Sequence, residues 1–250
     1  MTRLNTKGKW TELEIAPFSG QYHDLGPAFL PDGSRLFYVS DRPNGDPEKK
    51  DYNIWFVGRT ATGWSEPHAL GAPVNSAAQE YGVSVSANGT LYFASNRKGG
   101  AGSFDIFRSR LVDGEYRTAE NLGPVNTKGP EIQPAISPDE RVLVFTALQR
   151  DDERIGVHKE YARGDLYVSF QNGGAWSAPR NCGPAINSGA EESWPGFSSD
   201  GRRLFFSSAR GFATYRMPHR MTWDEIKREF ASTLNGMGNI YEVSSELLRQ

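Results

Sequence analysis

Short apolar runs separated by polar turns recur along the whole chain. Four ten-residue segments align without gaps: "DLGPAFLPDG" (24–33), "EYGVSVSANG" (80–89), "EIQPAISPDE" (131–140) and "ESWPGFSSDG" (192–201). Each segment is followed by a second apolar run, a loop of variable length and a third apolar run. The turn residues Asp32, Asn88, Asp139 and Asp200 are spaced by 56, 51 and 61 residues. The chain is therefore built from four internal repeats, each of which contains several short strands.

The chemistry of each repeat favours hairpins. Asp-Gly and Asn-Gly tolerate the positive φ of tight turns, and the aromatic and β-branched runs favour strands. A fourth run follows in three copies: "GWSEPHALGAPVNS" (63–76), "GEYRTAENLGPVNT" (114–127) and "GAWSAPRNCGPAINS" (174–188). Four strands per unit at this spacing predict an all-β fold, a β-propeller. We expect one domain over residues 1–250, with repeats at about 21–76, 77–127, 128–188 and 189–250.

The two ends of the chain predict how the ring closes. The last repeat stops after its third run, while "GKWTELEIAPFSG" (8–20) matches the fourth-strand phrase. Residues 8–20 are therefore expected to pair with the C-terminal strand and complete the last blade, which gives four blades. Such a closure removes two exposed sheet edges. An incomplete five-bladed propeller is the alternative.

Composition excludes several classes of function. The formal net charge of −2, from 28 basic and 30 acidic residues, gives no field for nucleic acid or an anionic membrane. Cys182 is the single cysteine, so there is no intramolecular disulfide and no thiolate metal site. No run approaches the ~20 apolar residues of a membrane span. The first ten residues contain no apolar core of a signal peptide, so none is predicted in this chain.

The repeats resemble TolB-like β-propellers, the Pro-Asp-Gly class of WD-like repeat, over about residues 9–245. The resemblance is carried by the turn phrase with its following "LFFSS" run, by the Asp-Ile-aromatic strand and by the "W-S-x-P" strand. It implies a binding scaffold that is periplasmic or secreted, with a cytoplasmic location as the alternative. Relatives commonly carry a further complete blade before the first repeat, and some relatives of this architecture are hydrolases or lyases.

Acidic residues recur in register and are the first candidates for a site. An acid stands eight residues before each turn residue, at Asp24, Glu80, Glu131 and Glu192. The first strand of a propeller blade lies beside the central channel, so the four carboxylates should lie near its mouth. There they either bind a ligand or a divalent cation such as Ca²⁺, or each accepts hydrogen bonds within its own turn.

Amides and guanidinium groups recur beside these acids. Asn75, Asn126 and Asn187 each precede their acid by five residues, and Arg42, Arg97, Arg150 and Arg210 end the second strands. The amides either face a polar ligand or close the loops between blades. The arginines either bind an anionic ligand or pair with the repeat acids.

The largest insert, residues 211–238, contains the one convincing helix pattern. Thr222 and Glu225 form a capping box, and Gly236 is placed to end the helix. The apolar residues Trp223, Ile226, Phe230 and Leu234 follow one face at helical spacing. The helix is either a docking element, with Arg216, Arg220 and Lys227 as ligand-binding residues, or it packs its apolar face onto the propeller.

No catalytic residue is predicted. The four histidines show no zinc-motif spacing, and no Gly-x-Ser-x-Gly motif occurs. The sequence therefore favours a non-catalytic scaffold that engages a protein, peptide or glycan through its loops and channel mouth. No cofactor is predicted unless the repeat acids bind a cation. The alternative is a carbohydrate-active lyase or hydrolase that uses those acids with a divalent cation.

Overall fold

The computed structural model describes residues 7–9, 11–45, 51–148, 164–211, 220–232 and 238–249. Antiparallel sheets are arranged in a ring, and the chain forms a four-bladed β-propeller, as the repeats predict. In the described part of the chain, no helix is long and apolar enough to cross a membrane.

The strands follow the repeats in chain order. Blade 1 contains β1 (Asp24–Phe29), β2 (Arg35–Ser40), β3 (Asn53–Thr60), β4 (Gly63–Trp64) and β5 (His68–Ala69). Blade 2 contains β6 (Glu80–Val85), β7 (Leu91–Ser95), β8 (Asp105–Ser109), β9 (Leu111–Val112), β10 (Glu115–Tyr116) and β11 (Glu120–Asn121). Blade 3 contains β12 (Glu131–Ile136), β13 (Val142–Ala147), β14 (Asp165–Asn172), β15 (Ala175–Trp176) and β16 (Arg180–Asn181). Blade 4 contains β17 (Glu192–Phe197), β18 (Arg203–Ser208) and β19 (Asn239–Ser244).

The core lies between neighbouring blades. Phe37 and Ile54 of blade 1 pack against Phe93 of blade 2, and equivalent apolar layers lie between blades 2 and 3 and between blades 3 and 4. The opposite face of blade 1 carries a smaller cluster, in which Phe18 packs against Tyr38. Burial of these layers is what holds the blades around the axis.

Every first strand contains an irregularity at the same place. The register of β1, β6, β12 and β17 against their second strands shifts just after the second residue, as expected for a bulge. The residues at this position have φ near +55° in all four blades: Gly26, Gly82, Gln133 and Trp194. The bulge is therefore a property of the repeat and not of one blade.

The strand pairing predicted for residues 8–20 is not formed in the described part of the chain. Residues 11–23 contain no strand, and the last blade is the three-stranded sheet β17–β18–β19. The side chains of Leu13 and Ile15 are 85% and 78% exposed. On the last blade, Ile240 of β19 is 83% exposed.

A difference in sequence explains this. In the three internal repeats, the residue five positions before the acid is Asn, and its amide bonds both the N–H and the C=O of a third-strand residue. Ser19 stands at this position before Asp24. A serine hydroxyl is too short to bridge both backbone groups, so the first repeat cannot hold β19 in the same way.

The helix in the last insert is shorter than its pattern predicted. Helix α1 spans Trp223–Phe230, and the capping box is confirmed, since the Glu225 backbone N–H donates to Thr222 Oγ1 and the Thr222 N–H to Glu225 Oε2. Trp223 is 68% exposed, so the start of the apolar face is not packed on the propeller. Leu234 and Gly236 lie outside the described residues, and the side chain of Phe230 is not described.

Candidate functional site

The repeat acids are bonded within their own surroundings. Glu80 accepts hydrogen bonds from the Ser76 hydroxyl at 2.6 Å, from the Ser95 hydroxyl at 3.2 Å and from Arg97 at 2.9 Å. The carboxyl group is fully buried, and this burial raises its pKa above the usual value, although the bonds from Ser76 and Arg97 act in the opposite direction. The arrangement is that of a buried structural carboxylate.

The other three acids follow the same plan with one departure. Glu192 accepts bonds from Ser188, Ser208 and Arg210. Glu131 accepts two bonds from Thr127. Asp24 accepts a bond from Arg42 at 2.8 Å, but its second carboxylate oxygen is buried without a partner among the described residues. Gly20 stands where the other repeats have Ser or Thr, which accounts for the missing donor.

These contacts match the interpretation in which each acid accepts hydrogen bonds from its own surroundings and does not bind a ligand. In the described residues, no group of three or more His, Cys, Asp or Glu side chains is placed to hold a metal ion. A divalent cation at Asp24, Glu80, Glu131 and Glu192 stays a prediction, which a calorimetric titration with Ca²⁺ tests directly.

The repeat arginines pair with the acids, as one of the two interpretations predicts. Arg42, Arg97 and Arg210 form ion pairs with the acids of their own blades, at 2.8, 2.9 and 3.4 Å. Each also donates to a backbone carbonyl six residues before the acid: Phe18, Val74 and Ile186. Arg150 lies outside the described residues.

The basic residues of the insert are partly described. Lys227 is exposed, lies 3.4 Å from the carboxylate of Asp224, and its ammonium group is 5.6 Å from the ring centre of Trp223. Arg220 is exposed, and Arg216 lies outside the described residues. The docking role predicted for Arg216, Arg220 and Lys227 stays a prediction. Cys182 is buried, and burial raises the pKa of its thiol to about 12, which suits an unreactive core residue.

A channel lies along the axis, where the first strands of the four blades face one another. Two cavities, of about 540 and 350 Å³, are lined by the first strands of all four blades. Both include a layer of residues that follow the bulge: Pro27, Val83, Pro134 and Pro195. The larger cavity lies toward the hairpin turns and includes Phe29 and Phe197, while the smaller lies toward the repeat acids. The two chambers therefore adjoin along the axis.

The smaller chamber holds side chains that sequence reasoning did not select. Gln133 and Trp194 occupy the bulge position, where two of the four repeats have glycine. The left-handed conformation costs a residue with a side chain roughly 1–2 kcal/mol. The aligned repeats show this departure in the sequence itself, because the same position is Gly in the first two repeats and a large residue in the last two.

The channel lining is apolar and uncharged. None of the described residues that line either chamber is Asp, Glu, Lys, Arg or His. The polar side chains in the lining are Ser84, Ser198, Ser199 and Gln133, and Trp194 adds an indole N–H. An uncharged lining with few polar groups suits an apolar, uncharged ligand.

No protein-family model and no curated protein matches the chain. Similar solved structures include TolB from Acinetobacter baumannii, which is 15% identical with a TM-score of 0.48 over 81% of this chain and 40% of that protein. A putative TolB from Agrobacterium tumefaciens is 16% identical with a TM-score of 0.49, over 88% of this chain and 65% of that protein. The gluconolactonase XC5397 from Xanthomonas campestris is 15% identical with a TM-score of 0.48, over 83% of this chain and 61% of that protein.

The chain thus spans between two fifths and two thirds of the length of these proteins. Identities and TM-scores at this level carry no information about what the chain binds or catalyses. The chain is similar to these TolB structures in its fold, the four-bladed β-propeller that the repeats predict.

Proposed function

We propose that the chain is a non-catalytic binding scaffold whose channel takes up an extended, uncharged peptide segment. The observation that carries the proposal is the channel wall, to which all four blades contribute and which has no charged side chain among its described residues. Two adjoining chambers give an elongated space, which suits a run of several residues better than a compact ligand. Pockets with apolar walls and few polar groups are typical binding sites.

Two further features support binding over catalysis. The described acids of the repeats are engaged by hydroxyl and guanidinium groups, so their oxygens already have partners, apart from one oxygen of Asp24. The exposed Arg220 and Lys227 at the insert offer a second contact for a protein that carries the peptide. A lyase or hydrolase that uses the acids with Ca²⁺ is the alternative, and heat released on calcium titration would favour it.

A periplasmic or secreted location is part of the proposal, and its support is the resemblance to TolB-like propellers. Fractionation of cells that express the natural gene, followed by detection with an antibody, tests it.

The test of the binding proposal is to fill the channel. Gly196 lines both chambers, and a Cβ added there would meet no atom within 4 Å, so Gly196→Arg should fold with a long charged side chain in the channel. The control is Gly71→Arg, an exposed loop position where an added Cβ makes an ordinary contact at 3.7 Å.

The measurement is selection from a phage-displayed library of random seven-residue peptides. We expect enriched peptides on the wild type and on Gly71→Arg, and at least tenfold weaker binding of these peptides to Gly196→Arg. Equal binding to all three proteins would place the site outside the channel. Failure of the wild type to enrich any peptide would refute the proposal.

A further inference from the structure

Two of the four bulge residues carry large side chains that the blade does not need. Gly26 and Gly82 adopt φ of +55° and +62° at this position, which shows that the repeat accepts glycine there. Gln133 and Trp194 adopt the same conformation, at +52° and +51°. Strain of this kind tends to be kept where a side chain serves a ligand site.

The ring of Trp194 is held at the channel by its neighbours. It lies directly over Gly26, since a Cβ added to Gly26 would be 2.7 Å from Cζ3 of the indole. On another side its ring centre is 5.8 Å from that of Tyr81. The side chain nevertheless stays 37% exposed and lines the smaller chamber. Gly26 therefore makes room for an aromatic surface that faces the channel.

Gln133 offers a hydrogen-bond donor beside this ring. Its Oε1 accepts bonds from the Trp194 backbone N–H at 3.0 Å and from the Thr146 hydroxyl at 2.9 Å. A backbone N–H can only donate, so the amide orientation is determined and the oxygen is occupied. The nitrogen Nε2 has no hydrogen-bond partner within the described ranges, and Gln133 is one of the residues that line the chamber. An acceptor atom of a ligand would satisfy it.

We propose that Trp194 and Gln133 form a subsite for one aromatic side chain of a bound peptide. The ligand ring lies against the indole of Trp194 and the neighbouring Pro195, and a backbone carbonyl of the peptide accepts a bond from Gln133 Nε2. This subsite rests on the proposed binding function and names the residue type that the channel selects.

The composition of the chamber favours a peptide over a glycan. Of the nine described residues that line it, only Gln133 and Trp194 have side chains with a polar group. A sugar ring carries several hydroxyl groups, which would lose their bonds to water without replacement. An aromatic side chain with one adjacent carbonyl needs few polar partners, and the chamber provides that number.

The experiment uses the peptide that is most enriched on the wild-type chain, labelled with fluorescein, and measures its affinity by fluorescence polarisation. Trp194→Gly removes the ring and adopts the conformation that Gly26 and Gly82 show. Trp194→Phe keeps an aromatic surface. Gln133→Glu keeps an oxygen for the Trp194 and Thr146 bonds but removes the Nε2 donor.

We expect the enriched peptides to share an aromatic residue at one position. Affinity should fall at least tenfold in Trp194→Gly and in Gln133→Glu, and Trp194→Phe should stay within about threefold of the wild type. Replacement of the aromatic residue of the peptide by Ala should weaken binding to the wild type but have little effect on Trp194→Gly, because the two rings form one contact.

Several results would overturn the subsite. Enriched peptides without an aromatic residue, or equal affinity in all variants, would show that the channel binds peptides without Trp194. Equal loss in Trp194→Phe and Trp194→Gly, with lowered melting temperatures, would assign the ring a purely structural role. Competition by cellohexaose would indicate a glycan site instead. Absence of any enriched peptide would refute the binding proposal itself, and is thereby distinguished from these outcomes.

Discussion

The junction between blades 3 and 4 and the junction between blades 4 and 1 contain related sequence phrases, yet only at the first does the phrase bond the third strand of the preceding blade. Before blade 4, Asn187 bonds the N–H and the C=O of Leu166, both at 2.9 Å, and Ser188 bonds Glu192. Before blade 1, the equivalent positions are Ser19 and Gly20. The polar part of the phrase is therefore the part that differs.

The apolar part of the phrase is kept at both junctions. Phe18 stands where the other repeats have Val74, Val125 and Ile186, and it packs against blade 1. Its carbonyl accepts a bond from Arg42 at 3.0 Å, as the carbonyl of Ile186 does from Arg210. Apolar packing and the arginine thus place the loop on the blade that follows it.

The blade that precedes the loop shows the consequence. Ile54, Ile106, Leu166 and Ile240 are equivalent residues of the third strands, each opposite the next-to-last residue of its second strand. The first three are completely buried, whereas Ile240 is 83% exposed. This difference in burial indicates that the Asn amide, which bonds the third strand of the preceding blade, couples one blade to the next.

The largest expected contrast is between two isoleucines. Ile54→Ala should cost about 3 kcal/mol of unfolding free energy, because it opens a cavity between blades 1 and 2. Ile240→Ala should cost less than about 0.5 kcal/mol, as for other exposed positions. Urea denaturation of both variants checks this. A cost above about 2 kcal/mol for Ile240→Ala would mean that its side chain is covered in solution.

The next largest difference in stability should come from the Asn amide that bonds the third strand of the preceding blade. Asn75→Ala should cost about 2–3 kcal/mol, because it leaves the buried N–H of Ile54 without a partner and removes the bonds of the amide to the C=O groups of Ile54 and Leu70. Ser19→Ala is the matched control and should be nearly neutral. The same urea titrations report both values, and comparable losses in the two variants would contradict the assigned role of the Asn.

Much of the fold was predictable because the repeat carries local signals. Turn glycines, apolar runs and the recurring acid indicate the strands, and the pairing of Arg97 with Glu80 was one of the two stated interpretations. The match of residues 8–20 to the fourth-strand phrase rests on a glycine, an aromatic residue and a proline, and none of these makes the bond that holds the third strand of the preceding blade. The sequence shows Ser19 in place of Asn, but the importance of this difference depends on a bond that the Asn of the other repeats makes to a strand 20 or 21 residues earlier.

The candidate site was harder to predict from the sequence. The repeat acids are candidates because they recur in register, but their recurrence in every blade is explained by a structural role that all blades share. Gln133 and Trp194 break the repeat at one position, and only the backbone angles and the channel lining show why that matters. Residues that depart from a repeat are therefore better candidates for function than residues that define it.

The buried carboxylate at an internal junction should produce a measurable pH dependence. Burial raises the pKa of Glu80 in the folded protein, so the folded state binds this proton more tightly than the unfolded state. Its contribution to stability should fall as the pH rises from about 4.3, the usual value for Glu, through the raised pKa, and then level off.

The variant Glu80→Gln removes this titration, so the difference in unfolding free energy between wild type and variant isolates it. Urea titrations between pH 4 and 8 supply the values, and Glu66→Gln, an exposed position, is the control. The turn residue Asp200 has the opposite shift, because the hydrogen bond from Ser198 lowers its pKa, but it contributes equally to both proteins. A difference that stays constant with pH would contradict the raised pKa of Glu80.

The smallest expected effect comes from restoring the missing amide. Ser19→Asn supplies the group that bonds the third strand in the other repeats, and its natural target is the backbone of Ile240. If the amide accounts for the difference between the junctions, residues 11–16 should then dock beside β19, with a gain of about 0.5–1 kcal/mol. Hydrogen exchange should show slower exchange of the Ile240 amide in Ser19→Asn than in the wild type, with Ser19→Ala as the control. Unchanged exchange would mean that the amide alone does not couple the blades. Asp24 in place of Glu, and Gly20 in place of Ser or Thr, would then also prevent the docking.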